Sequence, residues 1–121
     1  MTTVRPAGHD DRAAVRNVVD GADLSLDVGV LDAALDHGDV YVAVSDAAIV
    51  LGTLVRDESE IVAVAVRRRR RGQGIGSALV RAASADRDRL VAEFDPAVGP
   101  FWESLGFEIE RRPSGRLRGV R

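Results

Sequence analysis

The chain has 121 residues, 45% of them hydrophobic and 30% charged, with a formal net charge of −2 at pH 7 and no cysteine. That length suits one domain, residues 1–121, able to bury a core without disulfides. The missing thiols exclude a cysteine nucleophile and any cysteine-ligated zinc or iron–sulfur site, and His9 and His37 are too few for a multi-histidine metal centre, so no metal is expected. No apolar run approaches the roughly 18 residues of a membrane span. The opening Met1-Thr2-Thr3-Val4-Arg5-Pro6 lacks the apolar core of a secretory signal, so the sequence reads as a cytoplasmic domain without a membrane partner.

In chain order, residues 2–5 are β-prone and stop at Pro6. Asp10 or Asp11 is expected to cap a helix running to about Val19, with Ala14, Val15, Val18 and Val19 on one face. A second helix is expected over Val28–Asp36, ending near Gly38. Val40–Val44 reads as a strand, residues 48–55 as its antiparallel partner, and residues 61–66 as a strand apolar on both faces. A glycine-rich turn leads to a helix over residues 75–85, then a strand at 90–94 and a short helix at 98–105. Residues 107–110 and 116–120 close the chain as strands. Three antiparallel strands followed by strand–helix–strand predict an α+β fold, one mixed, mostly antiparallel sheet of six or seven strands with helices on both faces.

The charge is not evenly spread. Residues 1–66 carry 4 arginines and 12 acids, residues 67–121 carry 13 arginines and 7 acids, and there is no lysine. The second half therefore suits an anionic ligand: a phosphate, a nucleotide or a nucleic acid.

Arg71-Gly72-Gln73-Gly74-Ile75-Gly76-Ser77 lies between the apolar strand and an amphipathic helix. Glycines permit a tight turn and close approach of a ligand, and the free N–H groups of a helix start favour phosphate. A P-loop is excluded because it requires lysine. A dinucleotide fingerprint fails because Gly72-x-Gly74 leads to Ser77 and Gly74-x-Gly76 leads to Leu79.

Arg71-x-x-Gly74-x-Gly76 after a strand resembles the pyrophosphate-binding signature of the GNAT superfamily, the acyl-CoA-dependent N-acyltransferases. Val4-Arg5-Pro6-Ala7 followed by His9-Asp10-Asp11 is similar to that family's opening. Phe101-Trp102-Glu103-Ser104-Leu105-Gly106-Phe107 resembles its closing segment. The resemblance implies acetyl-CoA as acyl donor, with the amides of Gly72, Gln73, Gly74, Ile75 and Gly76 on its pyrophosphate, helped by Arg71 and Ser77. The strand residues Val64, Ala65 and Val66 would offer backbone groups to the pantetheine arm. One or two of Arg67, Arg68, Arg69 and Arg70 would reach the 3′-phosphate.

Acyl transfer to an amine needs a proton acceptor. Glu60 stands eleven residues before Arg71, a spacing that resembles the general base of the histone-acetylating branch; Glu93 is next in line. Where many members carry a tyrosine to protonate the departing thiolate, this chain has Trp102, whose indole N–H lacks useful acidity. Tyr41 is expected in the core or the cleft wall, His9 and His37 at the surface or in caps, and Asp95 is given no chemistry. By the resemblance, the early helices wall the acceptor site, where Asp20, Asp23, Asp27, Asp32 and Asp36 would favour a cationic amine. The expected partner is a small-molecule or peptide amine, and a homodimer is compatible with the sequence. The alternative is a non-catalytic CoA-binding or nucleic-acid-binding module; no aromatics interleave the arginine run, which disfavours single-stranded nucleic acid.

Overall fold

The computed structural model describes residues 1–22 and 24–121. Its seven strands are β1 (Thr3–Pro6), β2 (Val40–Val44), β3 (Val50–Asp57), β4 (Glu60–Val66), β5 (Val91–Phe94), β6 (Glu108–Arg111) and β7 (Leu117–Val120). Its four α-helices are α1 (Arg12–Gly21), α2 (Val28–Asp36), α3 (Ile75–Ser84) and α4 (Gly99–Ser104). Short 3-10 turns at His9–Asp11, Arg68–Arg70 and Pro96–Val98 join them. The strands form one sheet in the order β1-β2-β3-β4-β5-β7-β6, antiparallel except at β4–β5. This is the expected mixed α+β architecture.

The apolar alternation of the strands divides the core into two layers. Tyr41, Leu54, Ile61, Phe94 and Trp102 pack with Leu79 and Val80 of α3 on one face. Val42, Val55, Ala63 and Ala65 pack with Val15 and Val18 of α1 and Leu31 of α2 on the other. Gly52 lets α3 settle onto the sheet, since a Cβ there would stand 3.1 Å from both the Ala65 carbonyl oxygen and Ile75 Cγ2. That contact seats the first turn of α3 against the end of β4, because Gly52 lies opposite Val66.

Two local expectations need correction. The first helix is not capped by a side chain of Asp10 or Asp11. Asp11 instead accepts from the Gly8 N–H at 2.9 Å and pairs with Arg5 at 2.8 Å, and a 3-10 turn precedes α1. Arg56, beyond the expected end of the third strand, belongs to β3 and is 1% exposed. Its Nε donates to Asp39 at 2.9 Å, its two terminal nitrogens grip Asp86 at 2.9 and 3.1 Å, and it also bonds the Ala83 carbonyl at the C-terminal end of α3. Its guanidinium lies 5.2 Å from the centre of the Tyr41 ring, which is therefore core. Desolvation opposes the charge of Arg56, but the hydrogen bonds it donates to Asp86 and Asp39 outweigh it and hold its pKa above the ordinary value.

Candidate functional site

β4 and β5 touch only where they begin. Glu60 lies opposite Val91 and Ile61 opposite Ala92, and no further pair follows. Beyond Ile61 the strands part, leaving one side of β4 unpaired as it runs toward the glycine turn. The Arg67 N–H donates to the Leu51 carbonyl at 2.8 Å, continuing the β3–β4 ladder. Strand alternation then turns the backbone groups of Ala65 toward β3 and those of Val64 and Val66 toward the opening. Arg71 Nε donates to the Val66 carbonyl at 3.2 Å, on that open side.

A β-bulge sets the start of the opening. Val55 pairs with Ala63 but Arg56 pairs with Ile61, so Val62 is an extra residue in β4. The bulge breaks the alternation of faces: Ala63 points into the α1/α2 layer, whereas Ile61 points into the α3/α4 layer. Ile61 and Ala92, opposite one another, share that second layer. Their neighbours Glu60 and Val91 consequently project from the other face, and so does Glu93, two residues along β5. Glu60 and Glu93 thus stand on the same face of the sheet, with Cα atoms roughly 8 Å apart on ideal strand spacing. Both are exposed, and Glu93 pairs with Arg112 at 3.5 Å.

The turn after β4 has the form expected of an anion cradle. Gly72 and Gly74 have φ of +76° and +81°, a region that L side chains avoid. Gly74 is the N-cap of α3 and no side chain caps that end, so the first N–H groups of the helix lack a side-chain acceptor. A Cβ built at either glycine meets nothing within 4 Å, so the space in front of the turn is open. Gly76 has a second reason to be glycine: a Cβ there would stand 3.3 Å from Phe101 Cε1 and Cζ. It lets α3 and α4 close together below the turn. Arg68, Arg69 and Arg70 are exposed and have no acidic partner among the described residues, while Arg67 Nε is fixed to the Val50 carbonyl at 2.7 Å.

Trp102 is 6% exposed, stacked on Phe94 at 5.3 Å and edge-on to Phe101 and Phe107. It is a core aromatic. Asp95 accepts from the Ala97 N–H at 2.9 Å and caps the turn before α4. His9 lies exposed against Asp36 at 2.8 Å, and the exposed His37 is the C-cap of α2. Of the aspartates expected to attract a cation, Asp27 caps α2, Asp32 pairs with Arg12 and Asp36 with His9, while Asp23 lies outside the described residues. Asp20 is exposed and has no side-chain partner among the described residues, so three of the five aspartates are engaged within the fold. A concavity of about 300 Å³ opens at the far end of β3, lined by Asp27, Val30, His37, Asp39 and Arg56, away from the glycine turn.

A family model described as Acetyltransferase (GNAT) domain matches residues 36–109, from the end of α2 through the start of β6 and including the bulge, the opening and the glycine turn. The chain belongs to the GNAT acetyltransferase family. No curated protein sequence matches it significantly. Solved structures share its fold. Rv2747 from Mycobacterium tuberculosis, solved in complex with CoA, has a TM-score of 0.80 at 21% identity, over 98% of this chain and 97% of its own. Naa50 from Arabidopsis thaliana, solved with the bisubstrate analogue CoA-Ac-MVNAL, has a TM-score of 0.79 at 15% identity, covering 98% and 96%. N-acetylglutamate synthase from Neisseria gonorrhoeae, complexed with coenzyme A and N-acetyl-glutamate, reaches 0.78 at 16% identity over all of this chain. This GNAT chain spans only 35% of that synthase, and 34% of a GCN5-related N-acetyltransferase from Kribbella flavida. No helix among the described residues is long and apolar enough to cross a membrane.

Proposed function

We propose that residues 1–121 form one acetyltransferase domain that moves the acetyl group of acetyl-CoA to the primary amine of a small-molecule or peptide acceptor. The observation that carries this reading is the conjunction of the parted β4–β5 strands with the uncapped start of α3 behind Arg71-Gly72-Gln73-Gly74-Ile75-Gly76. Amides from Gly72 to Gly76, with Arg71 and the Ser77 hydroxyl, hold the pyrophosphate. Val64 and Val66 offer backbone groups to the pantetheine arm, with Ala65 between them bound to β3. The exposed Arg68–Arg70 turn, without an acidic partner among the described residues, stands ready for the 3′-phosphate. Relatives of the same fold solved with CoA support the choice of donor.

In the reaction the amine nitrogen attacks the thioester carbonyl carbon, a C–N bond forms and the C–S bond breaks. Glu60, exposed at the start of β4 on the face of the sheet that carries α1 and α2, accepts the amine proton directly or through water. With Trp102 in the core and Tyr41 beneath Arg56, no phenol serves the thiolate, and its proton comes from solvent. Glu60→Gln is expected to lower turnover by roughly 10² to 10⁴ with CoA affinity unchanged, the loss shrinking as pH rises and free amine and hydroxide increase. Steady-state kinetics on an acceptor found by panel, with calorimetry for CoA, make the check. Unchanged turnover removes Glu60 from the mechanism and turns attention to Glu93.

The buried Trp102 favours a second reading, a CoA-binding module without transfer. Saturable CoA binding with no thiol release across polyamines, amino acids and lysine peptides would establish it. Stabilisation by any polyanion that fades steeply with salt would instead favour nucleic acid.

A further inference from the structure

The hairpin joining β6 and β7 is the most arginine-dense segment outside the turn before α3, with Arg111, Arg112, Arg116 and Arg118 within eight residues. It folds back over the end of β5. Arg112 Nε lies 3.5 Å from Glu93 Oε1, and one terminal nitrogen of Arg116 donates to the Glu93 carbonyl at 3.1 Å. Each guanidinium is thus anchored through one nitrogen, and both side chains are exposed, leaving their remaining N–H donors open to solvent. Because Arg112 reaches the Glu93 side chain, it stands on the same face as Glu60. Along that face Glu60, without a partner among the described residues, is followed by Glu93 with the Arg112 and Arg116 forks tethered to it, and then by Arg118, which lies opposite both Glu93 and Glu110 and is 3.9 Å from the Glu110 carboxylate.

We propose that this arrangement selects acceptors that carry a carboxylate as well as the reacting amine, an amino-acid-like substrate class. The amine is directed to Glu60 and the carboxylate to Arg112 and Arg116. The order of charges matches such a molecule and opposes a polyamine, whose second ammonium would meet the hairpin. The planar, multi-donor guanidinium suits a carboxylate better than a solvated point charge would. Asp27, Asp32 and Asp36 already have partners within the fold, which weakens the pull of that face on a polycationic acceptor. This inference rests on the acetyl-transfer reading.

The test pairs each of several amino acids with the amine left when its carboxylate is removed, and follows thiol release from acetyl-CoA. Calorimetry with CoA alone is run first. The amino acids are expected to be used roughly tenfold to a hundredfold more efficiently than their decarboxylated partners, as for loss of a charge-assisted contact. Arg112→Gln and Arg116→Gln should erase much of that advantage by raising KM for the amino acids and not for the amines. Arg111→Gln, on the opposite face of β6, should leave it intact. Failure to bind CoA takes down the acetyl-transfer reading and this one with it. Normal CoA binding with equal use of both acceptor sets, a preference for the amines or polyamines, no use of any amino acid, or a preference unmoved in both variants overturns the acceptor class and leaves CoA binding standing.

Discussion

The two ends of α3 are built in opposite ways. At its C-terminal end a buried guanidinium is spent on holding the helix: Arg56 takes the Ala83 carbonyl, grips Asp86 with two nitrogens and leans on Asp39, which Arg87 also holds at 3.0 Å. Cationic donors at that end complement the helix dipole. At the N-terminal end there is no side-chain cap, two glycines with positive φ, and a run of exposed arginines without acidic partners among the described residues. One end is closed by the chain itself and the other is left without a side-chain cap, as the proposed pyrophosphate site requires. A helix whose far end is anchored keeps its near end fixed without any contact that a ligand would have to displace.

The largest expected effect breaks the closed end. Arg56→Met leaves the Ala83 carbonyl unpaired and Asp39 dependent on Arg87, and should cost about 3–5 kcal/mol of folding stability, as for removal of one partner from a buried ion pair. Denaturant titration measures it. CoA affinity of the folded variant should change little, which sets the two ends apart. Asp86, exposed at its outer edge, should matter less: Asp86→Asn should cost on the order of 1 kcal/mol. The Arg56 hydrogen bonds hold the Asp86 carboxyl below its usual range. Its contribution is therefore complete above about pH 4 and is lost as pH falls through the lowered folded value. The melting temperatures of wild type and Asp86→Asn should differ at neutral pH and converge in acid. A gap that stays constant with pH assigns the effect to something other than this ion pair.

The same contrast explains what was legible in the sequence. The glycine turn was readable because Gly72, Gly74 and Gly76 fall in a short stretch between an apolar strand and an amphipathic helix, and local patterns survive in sequence. Val28–Asp36 was readable from the spacing of its apolar residues, and Val40–Val44 from its β-branched and aromatic composition. The bulge at Val62 was not, because an apolar run reads the same with or without an extra residue, and only the pairing with β3 reveals it. Nor was the fate of Arg56: its partners Asp39, Asp86 and Ala83 lie 17 to 30 residues away. The second role of Gly76 was hidden for the same reason, since it depends on Phe101 from another helix. The roles proposed for Glu60 and Arg71 rest on the family resemblance and its spacing, not on local pattern alone.

Calorimetric titration of CoA into the wild type and into Gly74→Val tests the central claim most directly. Gly74 has φ of +81° and a Cβ there meets nothing within 4 Å, so a β-branched side chain distorts the N-cap and intrudes on the open space of the cradle. The account predicts saturable CoA binding by the wild type and its loss in a variant whose far-ultraviolet dichroism and core melting transition persist. A folded Gly74→Val protein that binds CoA as the wild type does would contradict it.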